Sequence, residues 1–422
     1  PQNYTTSADA TPSAIRCAAE VIFATSCGRI SPYKTVIQSH LPGAENSYSN
    51  GTVPMTRNLA LLGLLASTAL VPVAHAQGSG PQVVRNDTAS MAAGASYWTP
   101  QRMIAAQPYD MPRGGPGTPI SPTAAADSGP SQSSQPGLPS YKGAAATVRL
   151  HDTVALRSEA EEVAPAAAGT SGLRFTNERV VPMATLRNTY PWRAVGKLFF
   201  TGAQGGNFVC SASVINRRVV ATAGHCVYDT AINRFHSNFL FVPGYDNGAS
   251  PFGSFTWSLA TTTGSWVAGN GSVPNAADFG MIVITNKVVS GASRRIGDLT
   301  GWLGWKTGAL VGNAISAMGY PCNLDSCQIL QRTSAQVNRT ASPNSAEIGS
   351  DHRGGASGGP WVQDWGVAAA GQPARELGGN IVVGITSYGP VATTPRYLGS
   401  SILNSEWIAI WNIACGQPAA CS

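Results

Sequence analysis

"GGASGGPW", residues 354–361, places four glycines around Ser357 and ends the run on Pro360. Glycine costs roughly 0.5–1 kcal/mol relative to alanine in regular structure, because it has more backbone freedom to lose on folding. Such a run is kept for a tight turn or for a close approach of backbone to another group. An isolated Gly-rich run reads as a surface turn between strands, so the meaning of Ser357 depends on the rest of the chain.

The chain has 422 residues, with 47 glycines, 29 prolines and only 11 % charged residues. This composition suits a loop-rich β protein with an irregular extension and excludes a coiled coil or helical bundle. The net charge of +6 is mildly basic. No Lys/Arg cluster is interleaved with aromatics; the basic residues are scattered or paired, as in Arg217–Arg218 and Arg294–Arg295. Nucleic acid is therefore not an expected partner.

"MTRNLALLGLLASTALVPVAHAQG", from Met55, joins a basic start at Arg57 to an apolar run and an Ala74-His75-Ala76 cleavage pattern. It reads as a secretory signal peptide over 55–76. The apolar run is shorter than the ~20 residues of a membrane span and contains Pro72, so no membrane association is expected after cleavage. Residues 1–54 begin with Pro and contain no Met, and they read as an upstream, mistranslated extension. Removing both segments takes Cys17 and Cys27 with them. Six cysteines remain, an even number that in an exported chain reads as disulfides. Pairing does not follow from sequence alone; joining neighbours gives Cys210–Cys226, Cys322–Cys327 and Cys415–Cys421. No Cys-x-x-Cys or His/Cys cluster suggests a metal site, and no cofactor is implied.

Residues 77–179 are rich in Ala, Pro, Gly and Ser and poor in aromatics, which predicts a weakly ordered pro-segment or linker. From Val180 short β-rich runs follow: 194–202, 208–215, 217–226, 279–285 and 380–389. Turn residues separate them, predicting an all-β sandwich or barrel. One helix closes the chain over 405–414, with Asn404 or Ser405 as N-cap and Trp407, Ile410 and Trp411 on one face.

A serine nucleophile needs a base within hydrogen-bond reach, itself oriented by a third group. Of six histidines, His40 and His75 lie in the segments expected to be removed, His151 in the weakly ordered stretch and His236 in a polar loop. His225 in "ATAGHC" ends an apolar strand beside Cys226. A Cys210–Cys226 bridge would be worth about 3 kcal/mol in the chain-entropy model and would immobilise the backbone of that base. Asp278, directly before the apolar strand in "NAADFGMIVI", is the best-placed carboxylate, since Asp229, Asp246 and Asp298 sit in polar loops. G-A-S-G-G also fits the nucleophile elbow of α/β-hydrolases, but that fold needs a His after the serine and none follows Ser357. The order His225, Asp278, Ser357 is the chymotrypsin order.

Together "TAGHC" (222–226), "DFGMIVI" (278–284), "GGASGGP" (354–360) and "GITSYG" (384–389) resemble the trypsin/chymotrypsin-like serine peptidases. The likeness spans about 190–415 and is strongest to the secreted bacterial, glutamyl-endopeptidase-like branch, which shares phrases such as "FVPGYDNG". The resemblance implies two six-stranded Greek-key β-barrels, a triad in the cleft between them, and an oxyanion hole from the backbone N–H groups of Gly355 and Ser357. It implies substrate contacts at Asp351, Thr386, Ser387, Tyr388 and Gly389.

Two departures qualify it. Ala356 stands where the digestive enzymes keep the Asp that binds a new N-terminus, so activation by a removable pro-segment is expected instead, with Arg179 as a processing point. Asp351 matches the carboxylate of trypsin-like enzymes, yet bacterial relatives keep it without that preference. Thr386 replaces the histidine of Glu-specific members, and His352 and Arg353 flank Asp351, so specificity is not readable. The expectation is a secreted, monomeric serine endopeptidase with polypeptide substrates in a domain over 180–422. The alternatives are a catalytically silent peptide-binding relative and a non-peptidase serine hydrolase.

Overall fold

The computed structural model describes residues 80–87, 91, 94, 96–119, 131–143, 147–157, 173–180, 183–366, 379–391 and 396–422. The signal-peptide and upstream-extension readings, with Cys17 and Cys27, lie outside the described residues.

Six strands build the first barrel: β1 (Val195–Thr201), β2 (Asn207–Val214), β3 (Val219–Thr222), β4 (Ser237–Pro243), β5 (Phe255–Thr262) and β6 (Gly280–Ile284). Antiparallel ladders run in the order β5-β4-β1-β2-β3-β6, and β6 pairs back onto β5, closing the barrel. The order β4-β1-β2-β3 is that of a Greek key: the fourth strand returns beside the first. β6, "GMIVI", is buried at every position. A strand covered on both faces reads as a continuous apolar run instead of an alternation. Its second cover is α1 (Ser405–Cys415), which lies against β5 and β6. Asn404 caps α1 by accepting from the backbone N–H groups of Glu406 and Trp407.

The second sheet contains β7 (Ala314–Gly319), β8 (Gln331–Gln336), β9 (Arg339–Ala341), β10 (Ser345–Gly349), β11 (Pro360–Gln363), β12 (Ile381–Pro390) and β13 (Tyr397–Ile402). Its order is β9-β10-β13-β12-β11-β7-β8, and no ladder joins β8 to β9 among the described residues. The two edges are instead capped by the leading segment. Phe175–Arg179 pairs with β8 and Thr118–Pro119 pairs with β9. Gln82–Arg85 adds a strand to β5 of the first barrel.

These ladders correct the expectation of weak order for the described parts of 77–179. The composition argument holds that a segment poor in apolar side chains cannot build its own core. It does not bear on main-chain hydrogen bonding to an existing sheet edge, which needs no apolar side chain. Arg179, the expected processing point, pairs with Gln331 in the ladder, and its Nε donates to Asp325 Oδ2 at 2.6 Å.

The structure joins Cys210 to Cys226, Cys322 to Cys327 and Cys415 to Cys421. Trp407 is fully buried, edge-on to Phe279 at 5.5 Å and to Trp305 at 6.0 Å. Truncating a buried aromatic removes its transfer free energy and leaves a cavity, so Trp407→Ala should lower stability by about 3–5 kcal/mol. Denaturant unfolding would show the midpoint falling with the slope unchanged.

Candidate active site

The site begins at the end of β3. A single turn, Gly224–Cys226, follows it and carries His225, which is 3 % exposed. Asp278 leads into β6, the neighbour of β3 in the barrel, and is fully buried. Its Oδ1 accepts from His225 N at 2.9 Å, and its Oδ2 pairs with His225 Nδ1 at 2.8 Å. An ionised carboxylate can only accept, so Nδ1 carries the proton and Nε2 presents a lone pair. Ser387 Oγ of β12 donates to Asp278 Oδ2 at 2.6 Å, and Asp278 N donates to Ser401 Oγ of β13 at 3.1 Å. The carboxylate therefore stands where the two sheets meet.

Ser357 comes from the loop between β10 and β11. Ser211 of β2 holds this loop twice: its N–H donates to Ser357 O at 2.7 Å and its hydroxyl donates to Gly355 O at 2.9 Å. Ser211 follows Cys210, whose partner Cys226 follows His225. The disulfide thus ties the strand that holds the serine loop to the turn that holds the imidazole.

Two glycines of the opening run are required by geometry. Gly355 has φ +94°, and a Cβ there would lie 2.5 Å from Tyr320 O and 2.8 Å from Cys322 Sγ. Gly358 has φ +79°, and a Cβ would collide with the Thr222 hydroxyl. Left-handed backbone and close approach together leave only glycine.

Peptide planarity then fixes two donors. Gly354 O accepts from Cys322 N at 2.8 Å, and Ala356 O accepts from Gly359 N at 3.0 Å. In a trans peptide the N–H opposes the C=O, so the N–H groups of Gly355 and Ser357 point away from those partners. Ser357 Oγ and His225 Nε2 are both buried and neither makes a hydrogen bond, so the structure does not join them to each other. Catalytic hydrogen bonds are often long in unliganded sites and tighten when substrate binds.

The residues expected to contact substrate are placed differently from one another. Asp351 accepts from Arg396 Nη1 at 2.7 Å, so its charge is paired. Thr386 is turned inward, its hydroxyl accepting from Trp361 Nε1 at 2.9 Å. Tyr388 is fully buried and donates to Glu347 Oε1 at 3.0 Å. Ser387 serves Asp278, and Gly389 N donates to Pro112 O of the leading segment at 3.0 Å. Ala356 is fully buried and packs in the core beneath the second sheet.

Sequence reasoning missed three contributors. Ser401 and the buried Glu347 carry no local signal, because their partners lie far away in the chain. Tyr109 had one: in "QPYDMP" the flanking Gln107 and Met111 each precede a proline, which favours extended backbone at those two positions. A cavity of about 390 Å³ beside His225 is lined by Tyr109, Asp110, Pro112, Phe208 and Trp266. The sulfurs of Cys210 and Cys226 lie with the His225 ring within 4.8 Å of one another, but they are bonded together and offer no thiolate to a cation.

No family model matches the chain. It is 29 % identical over 192 residues to glutamyl endopeptidase of Bacillus licheniformis, covering 45 % of this chain and 54 % of that protein. It is 26 % identical over 157 residues to the extracellular metalloprotease of Bacillus subtilis, covering 36 % and 46 %. The chain thus spans about half the length of these curated relatives. Among solved structures, a thermostable serine protease, AL20, from an extremophilic microorganism matches at TM-score 0.45 and 26 % identity, over 54 % of this chain and 99 % of that one. A Glu endopeptidase in complex with MPD matches at TM-score 0.44 and 20 % identity, over 57 % and 97 %. In sequence the chain resembles the trypsin/chymotrypsin-like serine peptidases. Among these, the chain is similar to the glutamyl-endopeptidase branch.

Two other imidazoles are buried neutral near the site. His236 Nδ1 accepts from Ala203 N at 3.0 Å, so its Nε2–H donates to His225 O at 3.1 Å. Burial pushes its pKa down to about 4, and that of His352 down to about 3. Both folded values lie below the unfolded value near 6.5. Below about pH 6.5 the unfolded chain binds protons that the native chain refuses, so stability is lost as pH falls towards 4 and then 3. Denaturation midpoints taken from pH 7 to 4 should fall steadily, and His236→Asn should reduce that slope by about one proton's worth.

Proposed function

We propose that this chain is a secreted serine endopeptidase made as a precursor, with Ser357 as nucleophile, His225 as general base and acid, and Asp278 as the group that orients the imidazole. The observation that carries the reading is the fully buried Asp278, bonded to both the N–H and Nδ1 of His225 while Nε2 remains free.

Ser357 Oγ attacks the scissile carbonyl carbon and His225 Nε2 takes the hydroxyl proton. The resulting imidazolium is stabilised by Asp278, which keeps its charge throughout. The oxyanion is met by the N–H groups of Gly355 and Ser357, each such donor being worth about 10²–10³ in turnover. His225 then passes the proton to the leaving amine as the C–N bond breaks, giving an acyl-enzyme. A water molecule attacks the ester, giving its proton to His225, and His225 returns a proton to Ser357 Oγ as the acid leaves. Ser387, donating to Asp278 Oδ2, helps to hold the carboxylate in place. Since Arg396 pairs the charge of Asp351, we assign no preference for basic residues.

Residues 77–179 are read as the removable pro-segment, leaving 180–422 as the peptidase domain. The silent peptide-binding alternative retains the fold but predicts no turnover. A non-peptidase hydrolase predicts esterase activity without proteolysis. Ser357→Ala and His225→Ala should each reduce casein turnover by about 10⁶, whereas Asp278→Asn should leave about 10⁻⁴ of the wild-type rate. Uptake of a phosphonylating reagent at Ser357 should be lost with His225→Ala. Wild-type-like turnover in Ser357→Ala would remove the nucleophile assignment.

A further inference from the structure

Residues 107–114 cross from the first barrel to the second directly over the candidate site. Gln107–Pro108 pairs in parallel with Phe208–Val209 of β2, and Tyr109 N donates to Val209 O at 3.1 Å. The Tyr109 ring lies nearly parallel to the His225 imidazole, with 15° between planes and 6.3 Å between centroids. It is wedged against Phe200 and Phe208 at 5.3 and 5.2 Å. On the serine loop, a Cβ at Gly354 would lie 3.2 Å from Pro108 Cβ and 3.4 Å from Tyr109 O, so the segment rests on that loop. Met111 is buried in the same core cluster as Ala356, and its Sδ lies 3.0 Å from where a Cβ on Gly389 would be. Arg113–Gly114 then pairs in parallel with Gly389–Pro390 of β12.

Both ends of this crossing are anchored. Upstream, Trp98 Nε1 donates to Asn238 O at 2.6 Å, and Thr99 caps the helix Pro100–Ala105. Downstream, Tyr397 OH donates to Gly114 O. Gly117 N donates to Oε2 of the fully buried Glu347 at 2.8 Å, and Arg339 Nε donates to Gly117 O at 2.9 Å.

We propose that residues 107–114 are an inhibitory strap, which shuts the cleft by taking the main-chain hydrogen bonds that β2 and β12 otherwise offer to an extended polypeptide. This rests on the peptidase reading above. Adding a strand to an exposed sheet edge is a general mode of peptide recognition, with affinity from the main chain and specificity from alternate side chains. Here Tyr109 and Met111 are those alternate side chains, one against the imidazole and one beside Gly389. Tethering in the same chain raises the strap's effective concentration to the order of mM, so substrate at μM levels does not displace it. Removing the strap frees Gly389 N and Val209 O and uncovers His225.

The test uses the full chain as secreted, the same chain after limited proteolysis of the leading segment, and Tyr109→Ala/Met111→Ala in both forms. Turnover of casein and labelling of Ser357 by a small phosphonylating reagent are read side by side. The intact wild type should turn over at least about tenfold more slowly than the processed chain, and the double variant should recover most of that difference. The processed forms of both should be equal. A synthetic peptide of residues 104–117 should compete with casein on the processed wild type, a readout independent of whether the double variant folds. An intact wild type as active as the processed chain overturns the strap. So does a double variant with unchanged melting and no gain, together with a peptide that does not inhibit. Labelling of processed chain at Ser357 in those cases leaves the peptidase reading standing. Processed chain that neither cleaves casein nor takes up the reagent overturns that reading, and the strap with it.

Discussion

The Asp278 carboxylate is a charge with no solvent contact, and its partners come from both halves of the molecule. Within the first barrel it accepts from the backbone and ring of His225. From the second sheet Ser387 donates to it, while Ser401 accepts from its backbone N–H. A buried carboxylate without such donors would cost several kcal/mol or take up a proton. Satisfying it therefore demands that the turn after β3, the start of β6 and the strands β12 and β13 meet in one arrangement. The orientation of the imidazole is a by-product of that demand.

The serine is positioned by a separate chain of constraints, which passes through Ser211. This residue ties the serine loop to β2, and the adjoining Cys210–Cys226 bridge ties β2 to the His225 turn. The two routes converge from opposite sides, one electrostatic and one covalent. Between them, the Gly355 and Gly358 backbones occupy space that any side chain would fill. Ser357 Oγ and His225 Nε2 are both buried without a hydrogen-bond partner.

The leading segment lies against this site. Its strands lie on the edges of both sheets, and its middle part covers the imidazole. Sheet edges are exposed hydrogen-bonding surfaces that proteins cover to avoid unwanted pairing. The same free edges in the cleft would recognise an extended substrate. One stretch of chain can therefore protect the edges and withhold the site at once, without the ion pair that Ala356 makes unattainable.

Much of this was legible along the chain, because the signals were local. Short β-rich runs set off by turn residues marked β1, β2, β3, β6 and β12. The apolar spacing of Trp407, Ile410 and Trp411 marked α1, and the order of His225, Asp278 and Ser357 marked the class of site. What was not legible involved partners distant in sequence. Composition described 77–179 as weakly ordered because it counts side chains, whereas its described parts pair through the main chain with edges formed elsewhere. Asp351 and Thr386 were both expected to contact substrate, and only the tertiary structure brings Arg396 to the one and Trp361 to the hydroxyl of the other. The sequence alone determined which residues could do chemistry, since residue type and local propensity need no neighbours. Tertiary structure alone decided which of them are free to do it, because burial and hydrogen-bond partnership depend on whatever the fold lays against each group.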